Sequence, residues 1–147
     1  MQKAIDAQDF PFFKQQKDNE CALSCLKMIA AFYGKAISFD YLRSVVPIDP
    51  QGISIYNIVQ SIKLLDFRSL IISTQHINLL EKATLPCIML WRNNHYVVIY
   101  RIEENKVCLA DPDKGLLTLS MKEFLEPLKD IEKEEWIILL EPNFSYP

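Results

Sequence analysis

The sequence has no excess of basic residues. Its 16 Lys and Arg stand against 19 Asp and Glu, a formal net charge of −3 over 147 residues. That balance leaves no cationic surplus for a phosphate backbone, which argues against nucleic acid as a partner and against docking on a membrane through a basic patch. Long apolar runs are missing too. The longest, such as Cys87 to Trp91 and Tyr96 to Ile102, are strand-sized, far short of the ~20 residues that a spanning helix needs. The first twenty residues, MQKAIDAQDFPFFKQQKDNE, lack the basic start, long apolar stretch and small-residue cleavage site of a secretory signal. The expected setting is therefore cytosolic, with no segment of this chain crossing a bilayer. Only three glycines are present, and there is neither an internal repeat nor a low-complexity tract. Also missing is any paired C-x-x-C or H-x-x-x-H spacing, which counts against a metal site built from Cys21, Cys25, Cys87, Cys108 and a histidine. In a reducing compartment four cysteines are more often buried or catalytic thiols than two disulfides.

What is there fits one domain with a real core, since half of the residues are apolar and the length is usual for a single domain. Residues 1–19 have no sustained periodicity and read as an extended arm. From Glu20 onward, Cys21, Leu23, Ser24, Cys25, Met28, Ile29, Phe32 and Tyr33 recur at helical spacing, and Gly34 supplies a stop. Ser38 before FDYLRSVV and Ser54 before IYNIVQSIKLL are positioned to cap two further helices, separated by Pro47, Pro50 and Gly52. Short β-branched or aromatic runs follow: FRSLIIS, CIMLW, YVVIYRI, KVCLA, LLTLS and EWIILLE. Ser120 and Glu123 have capping-box spacing at the head of a late helix, SMKEFLEPLK. Helices first and strands second predict an α+β domain with helices packed on one face of a largely antiparallel sheet. The closing EPNFSYP reads as the start of a linker over 143–147.

Cys21 falls in the first turn of the first predicted helix, where the positive end of the helix dipole favours a thiolate. The bland alternative is a small buried residue on an amphipathic helix, a reading that also fits Cys25 one turn on. His95 stands where the polar loop of WRNNHYVVIY gives way to an apolar strand, and Asp111 ends the next strand, KVCLA. A short polar turn around Glu103, Glu104 and Asn105 folds these two strands into a hairpin. Position 95 then falls opposite a residue within one or two places of 111. A thiol at a helix start, with a base oriented by a carboxylate, is what nucleophilic catalysis requires. The order Cys, His, Asp matches papain-like enzymes. Gln15, six residues before Cys21, is close enough to offer its amide to an oxyanion beside a backbone N–H, with Gln16 an equal candidate. His76, in STQHINLLEK, has no carboxylate that a hairpin brings to it and reads as a surface or cap residue.

In order and spacing, QQKDNECALSCLKMIAAFYG, GISIYNIVQSIKLLDF, LPCIMLW, NHYVVIY and LADPDKG resemble the N-terminal peptidase domain of bacteriocin- and lantibiotic-processing ABC transporters. The resemblance runs from about Gln15 to Pro142, giving a peptidase domain over 15–142. It implies a papain-like cysteine protease fold with Cys21 as nucleophile, His95 as general base and acid, Asp111 as the group orienting His95, and Gln15 as oxyanion donor. It implies cleavage of a precursor peptide after Gly-Gly or Gly-Ala, with release of an amphipathic leader while the transporter exports the product. Partners would be the precursor and the transmembrane and ATPase regions of a parent transporter, on the cytoplasmic side of a bacterial membrane. The excised domain would be soluble and need no cofactor, ATP belonging to the parent. Some relatives keep the fold without the cysteine and only bind cargo, so a catalytically silent leader-binding domain is the alternative.

Overall fold

α1 (Cys21–Phe32) is buried on nearly every side, with Leu23, Cys25, Met28 and Ala30 fully enclosed. A helix apolar all round belongs inside a core. It ends at Gly34, whose φ of 83° is open to glycine at little cost. In α2 (Phe39–Val45) and α3 (Ile55–Leu64) the expected caps form: Ser38 Oγ accepts from the Tyr41 amide at 3.0 Å and Ser54 Oγ from the Asn57 amide at 3.1 Å. The computed structural model describes residues 9–48, 50, 52–92, 95–129 and 135–146. Residues 1–8 of the arm, 93 and 94 before His95, and 147 of the closing stretch lie outside them.

Six strands follow among the described residues: β1 (Phe67–Ser73), β2 (Cys87–Trp91), β3 (His95–Glu103), β4 (Lys106–Asp111), β5 (Gly115–Ser120) and β6 (Trp136–Pro142). They form one sheet in the order β1-β6-β2-β3-β4-β5, and every described pairing is antiparallel. Against one face, α1 to α3 bury Leu23, Met28, Ile58 and Ile62 on Val98, Tyr100, Ala110 and Ile138.

Helices do not stop at one face, and here the sequence reading needs correcting. The 3-10 stretch Thr74–Glu81 and α4 (Met121–Leu125) cover the other face, where Leu80 and Phe124 pack with Met89, Trp91, Val97 and Ile99. The reason is visible in β2 and β3, whose central residues are buried on both sides. A strand that is apolar without alternation needs cover on both faces. α4 starts with the expected capping box, Ser120 and Glu123 exchanging hydrogen bonds at 3.0 Å. Trp91 fastens it by donating its indole N–H to the Phe124 carbonyl at 3.2 Å.

The arm is held to the body. Phe10 is buried and stacks on Tyr100 at 4.6 Å between ring centroids. Past β6, Asn143 donates its amide to the Asp66 carbonyl at 2.9 Å and Phe144 meets Phe67 edge to face at 5.3 Å. The first residues of the stretch read as a linker therefore pack on the domain.

Candidate active site

Three elements converge on one group of side chains. Cys21 is the first residue of α1, His95 the first of β3, and Asp111 the last of β4. The hairpin pairs Val98 with Ala110 and Ile99 with Leu109, then Arg101 with Cys108, leaving Tyr100 as an extra residue on β3. Continuing the register past Val98 puts Val97 opposite Asp111 and His95 two residues further. Without the bulge at Tyr100 the offset would be three. Bulges beside functional sites re-aim side chains in this way.

His95 Nε2 lies 2.7 Å from Asp111 Oδ1, and the Cys21 side chain is the second neighbour that acts on the imidazole. With Nε2 facing the carboxylate, Nδ1 is the nitrogen left for sulfur. The Asp111 hydrogen bond, reinforced by Cys21, pushes the His95 pKa up to about 9, against the opposing effect of partial burial. Burial acts to raise the Asp111 carboxyl, but the His95 hydrogen bond, the amides of Asp113 and Lys114 and the His95 charge together hold it below its ordinary value. Those amides reach Asp111 Oδ1 at 2.9 and 3.3 Å, fixing the carboxylate in an Asx turn. Asp111 is thus a buried anion with three donors, a firm mount for an imidazolium. Cys25 lies a turn deeper and fully buried, and burial pushes its thiol well up; burial takes Cys87 to about 12. Cys25 and Cys108 belong to the core under α1 and Cys87 to the core on the other face, so the four thiols do not converge. All four cysteines are free thiols. Among the described residues no three His, Cys, Asp or Glu side chains are grouped to hold a metal ion.

The two glutamines separate. Gln15 donates its backbone amide to the Pro112 carbonyl at 2.9 Å, beside Asp111, and its Oε1 is buried without a hydrogen-bond partner in the described structure. Gln16 is exposed and its Oε1 accepts from Arg43 Nη2 at 2.5 Å. His76 is exposed in the 3-10 stretch that packs on the face of the sheet opposite α1, so it is not brought to Cys21. Arg43 escaped the sequence reading: its Nε and Nη2 clamp the Glu20 carboxylate at 2.6 and 2.9 Å. A buried acid directly before Cys21 demands a cation, but nothing local singles out one of 16.

Residues 9–131 match the family described as Peptidase C39. The chain belongs to that family. It is a peptidase domain with the papain-like α+β fold. Its sequence is 29% identical to the colicin V secretion/processing ATP-binding protein of Escherichia coli over 126 residues, covering 86% of this chain and 18% of the relative. To the lacticin-481/lactococcin-DR transport/processing ATP-binding protein of Lactococcus lactis subsp. lactis it is 28% identical over 142 residues, covering 90% of this chain and 19% of that one. The chain thus spans under a fifth of the length of these two relatives. The solved structure of a double glycine motif protease from an AMS/PCAT transporter, in complex with a leader peptide, superposes with a TM-score of 0.80 at 22% identity, covering 90% of this chain and 91% of the other. No helix among the described residues is long and apolar enough to cross a membrane.

Proposed function

We propose that this C39 domain is the leader-cleaving part of a peptide exporter, a cysteine endopeptidase that cuts a ribosomally made precursor after Gly-Gly or Gly-Ala. The single observation that carries the reading is the chain of contacts from Cys21 through His95 to Asp111. Cys21 reacts through its sulfur as the thiolate, with His95, whose pKa is pushed up to about 9, beside it as the imidazolium. The thiolate attacks the carbonyl carbon of the scissile bond, and the charge that develops on oxygen is met by the Gln15 amide and a backbone N–H at the start of α1. Glu20, the residue before α1, does not use its side chain as a cap, so it does not compete for those amides. His95 gives its proton to the leaving amine, the C–N bond breaks, and the leader remains on Cys21 as a thioester. Neutral His95 then takes a proton from water, whose oxygen displaces sulfur and releases the leader as a carboxylate.

A requirement for glycine follows from a narrow approach to a thiolate flanked by His95, with affinity drawn from an amphipathic leader in an apolar groove. The names of the relatives, which couple processing with transport and ATP binding, support a parent with transmembrane and ATPase regions. In that setting the domain faces the cytoplasm and ATP serves the parent alone.

Incubation with a panel of double-glycine precursors, read by mass spectrometry, tests the proposal. The released leader should end at the second residue of the motif and the other product should begin directly after it, and Cys21→Ala gives neither while still binding leader. Leader binding without cleavage by the unaltered domain would favour a silent cargo-binding role.

A further inference from the structure

We infer that Arg43, on α2, is a positioning residue that fixes the Gln15 arm against the Cys21 helix and so sets the geometry in which the oxyanion is held; the inference rests on the cleavage reading above. One guanidinium holds both ends of a short chain segment. At the near end Nη2 grips the side chain of Gln16, the residue after Gln15, at 2.5 Å. At the far end Nε and Nη2 grip Glu20, the residue before Cys21, at 2.6 and 2.9 Å. Between them the chain turns tightly, the Glu20 amide donating to the Lys17 carbonyl at 3.1 Å.

Glu20 is only 2% exposed, so its carboxylate needs a partner that stays in place. The fork of an arginine supplies two parallel bonds to it and still has an N–H for Gln16, whereas a lysine offers one point charge. Arg43 is itself fixed by Asp40 at 3.1 Å and stands 5.5 Å from the centre of the Phe39 ring. The arm's other anchor, the Gln15 amide on the Pro112 carbonyl, ties it to the Asp111 turn. Gln15 is therefore bracketed between Asp111 and Arg43, and Cys21 is reached from the same cation.

Among the described residues the guanidinium hydrogen-bonds Gln16, Glu20 and Asp40, and neither Cys21 nor His95, so its loss should affect two steps differently where a general loss of fold would not. Alkylation of Cys21 by iodoacetamide develops no oxyanion, while peptide cleavage does. Arg43→Lys should lower kcat for leader cleavage by about ten- to a hundredfold, the scale of a sub-ångström to ångström misplacement. KM and the rate and pH profile of Cys21 alkylation should stay near wild type, and any fall in the thermal midpoint should leave the domain folded at the assay temperature. Gln16→Ala, at an exposed position, should lower kcat severalfold. Combined with Arg43→Lys it should add little, because both act through one clamp. Unchanged kcat in both single variants, losses that multiply in the double variant, or a fall in Cys21 alkylation that tracks kcat would each overturn the inference. Failure of the wild-type domain to cleave any precursor would fall on the cleavage reading instead.

Discussion

His95 faces two partners at once, and the order of its nitrogens decides what Asp111 does. Nε2 is held by the carboxylate at 2.7 Å, so the nitrogen facing sulfur is Nδ1, and Asp111 both selects the tautomer and favours the imidazolium. The pair makes a sign-definite contribution to stability. A histidine whose folded pKa is raised from 6.5 to about 9 stabilises the fold fully below its unfolded value, and the effect is lost as pH rises through the folded one. Asp111, held below its ordinary 3.8, contributes above that value, and its share is lost as pH falls through the depressed one. The stability gap between wild type and Asp111→Asn, measured by denaturation across pH, should be widest between about pH 4 and 6.5 and narrow as pH rises through about 9, where the His95 share is lost. In turnover, Asp111→Asn should lower kcat by about 10- to 100-fold with leader affinity little changed, because an amide still holds the ring but stabilises imidazolium less. A gap that does not vary with pH, or an unaltered kcat, would reduce Asp111 to a turn residue.

Most elements were legible because their signals are local: two serine caps, one capping box, a glycine stop and six runs of strand type all stand where the sequence puts them. The bulge at Tyr100 was not, since a bulge exists only in a pairing. Its extra residue brings Asp111 one place closer to His95 than a regular hairpin would, and Tyr100 is buried against Phe10 of the arm. Cover on the second face was encoded in the unbroken apolar character of CIMLW and YVVIY, but not which elements provide it. The arm carries its own prediction. Gln15 has a buried Oε1 with no hydrogen-bond partner among the described residues, beside the Asp111 turn, while Gln16 is committed to Arg43. Gln15→Ala should reduce kcat by ~100-fold, the usual weight of one oxyanion donor, and by more than Gln16→Ala does. The reverse ranking in a cleavage assay would move the oxyanion contact from Gln15 to Gln16.

At the scale of the whole molecule, the site depends on three distant stretches meeting: the start of the central helix, and the adjoining ends of two sheet strands. The sequence told of this meeting in part, through helix-start position for Cys21 and hairpin logic for His95 and Asp111. What joins the two halves, α1 packed across β3 and Arg43 reaching from α2 to Glu20 and Gln16, is long-range and left no local mark. Burial does the rest, by disfavouring charge on the other core thiols: Cys25 and Cys87 sit in apolar surroundings that push them up, whereas Cys21 is partly exposed beside an imidazole. The central claim, that Cys21, His95 and Asp111 act as one ion-paired unit, is tested most directly by alkylating the domain at mildly acidic pH and mapping the label by peptide mass spectrometry. An ordinary cysteine, with a pKa near ~8.5, is almost wholly protonated there and unreactive. The account predicts label on Cys21 far ahead of Cys25, Cys87 and Cys108, and loss of that selectivity in His95→Ala; even labelling of all four thiols, or Cys21 labelling indifferent to His95, would contradict it.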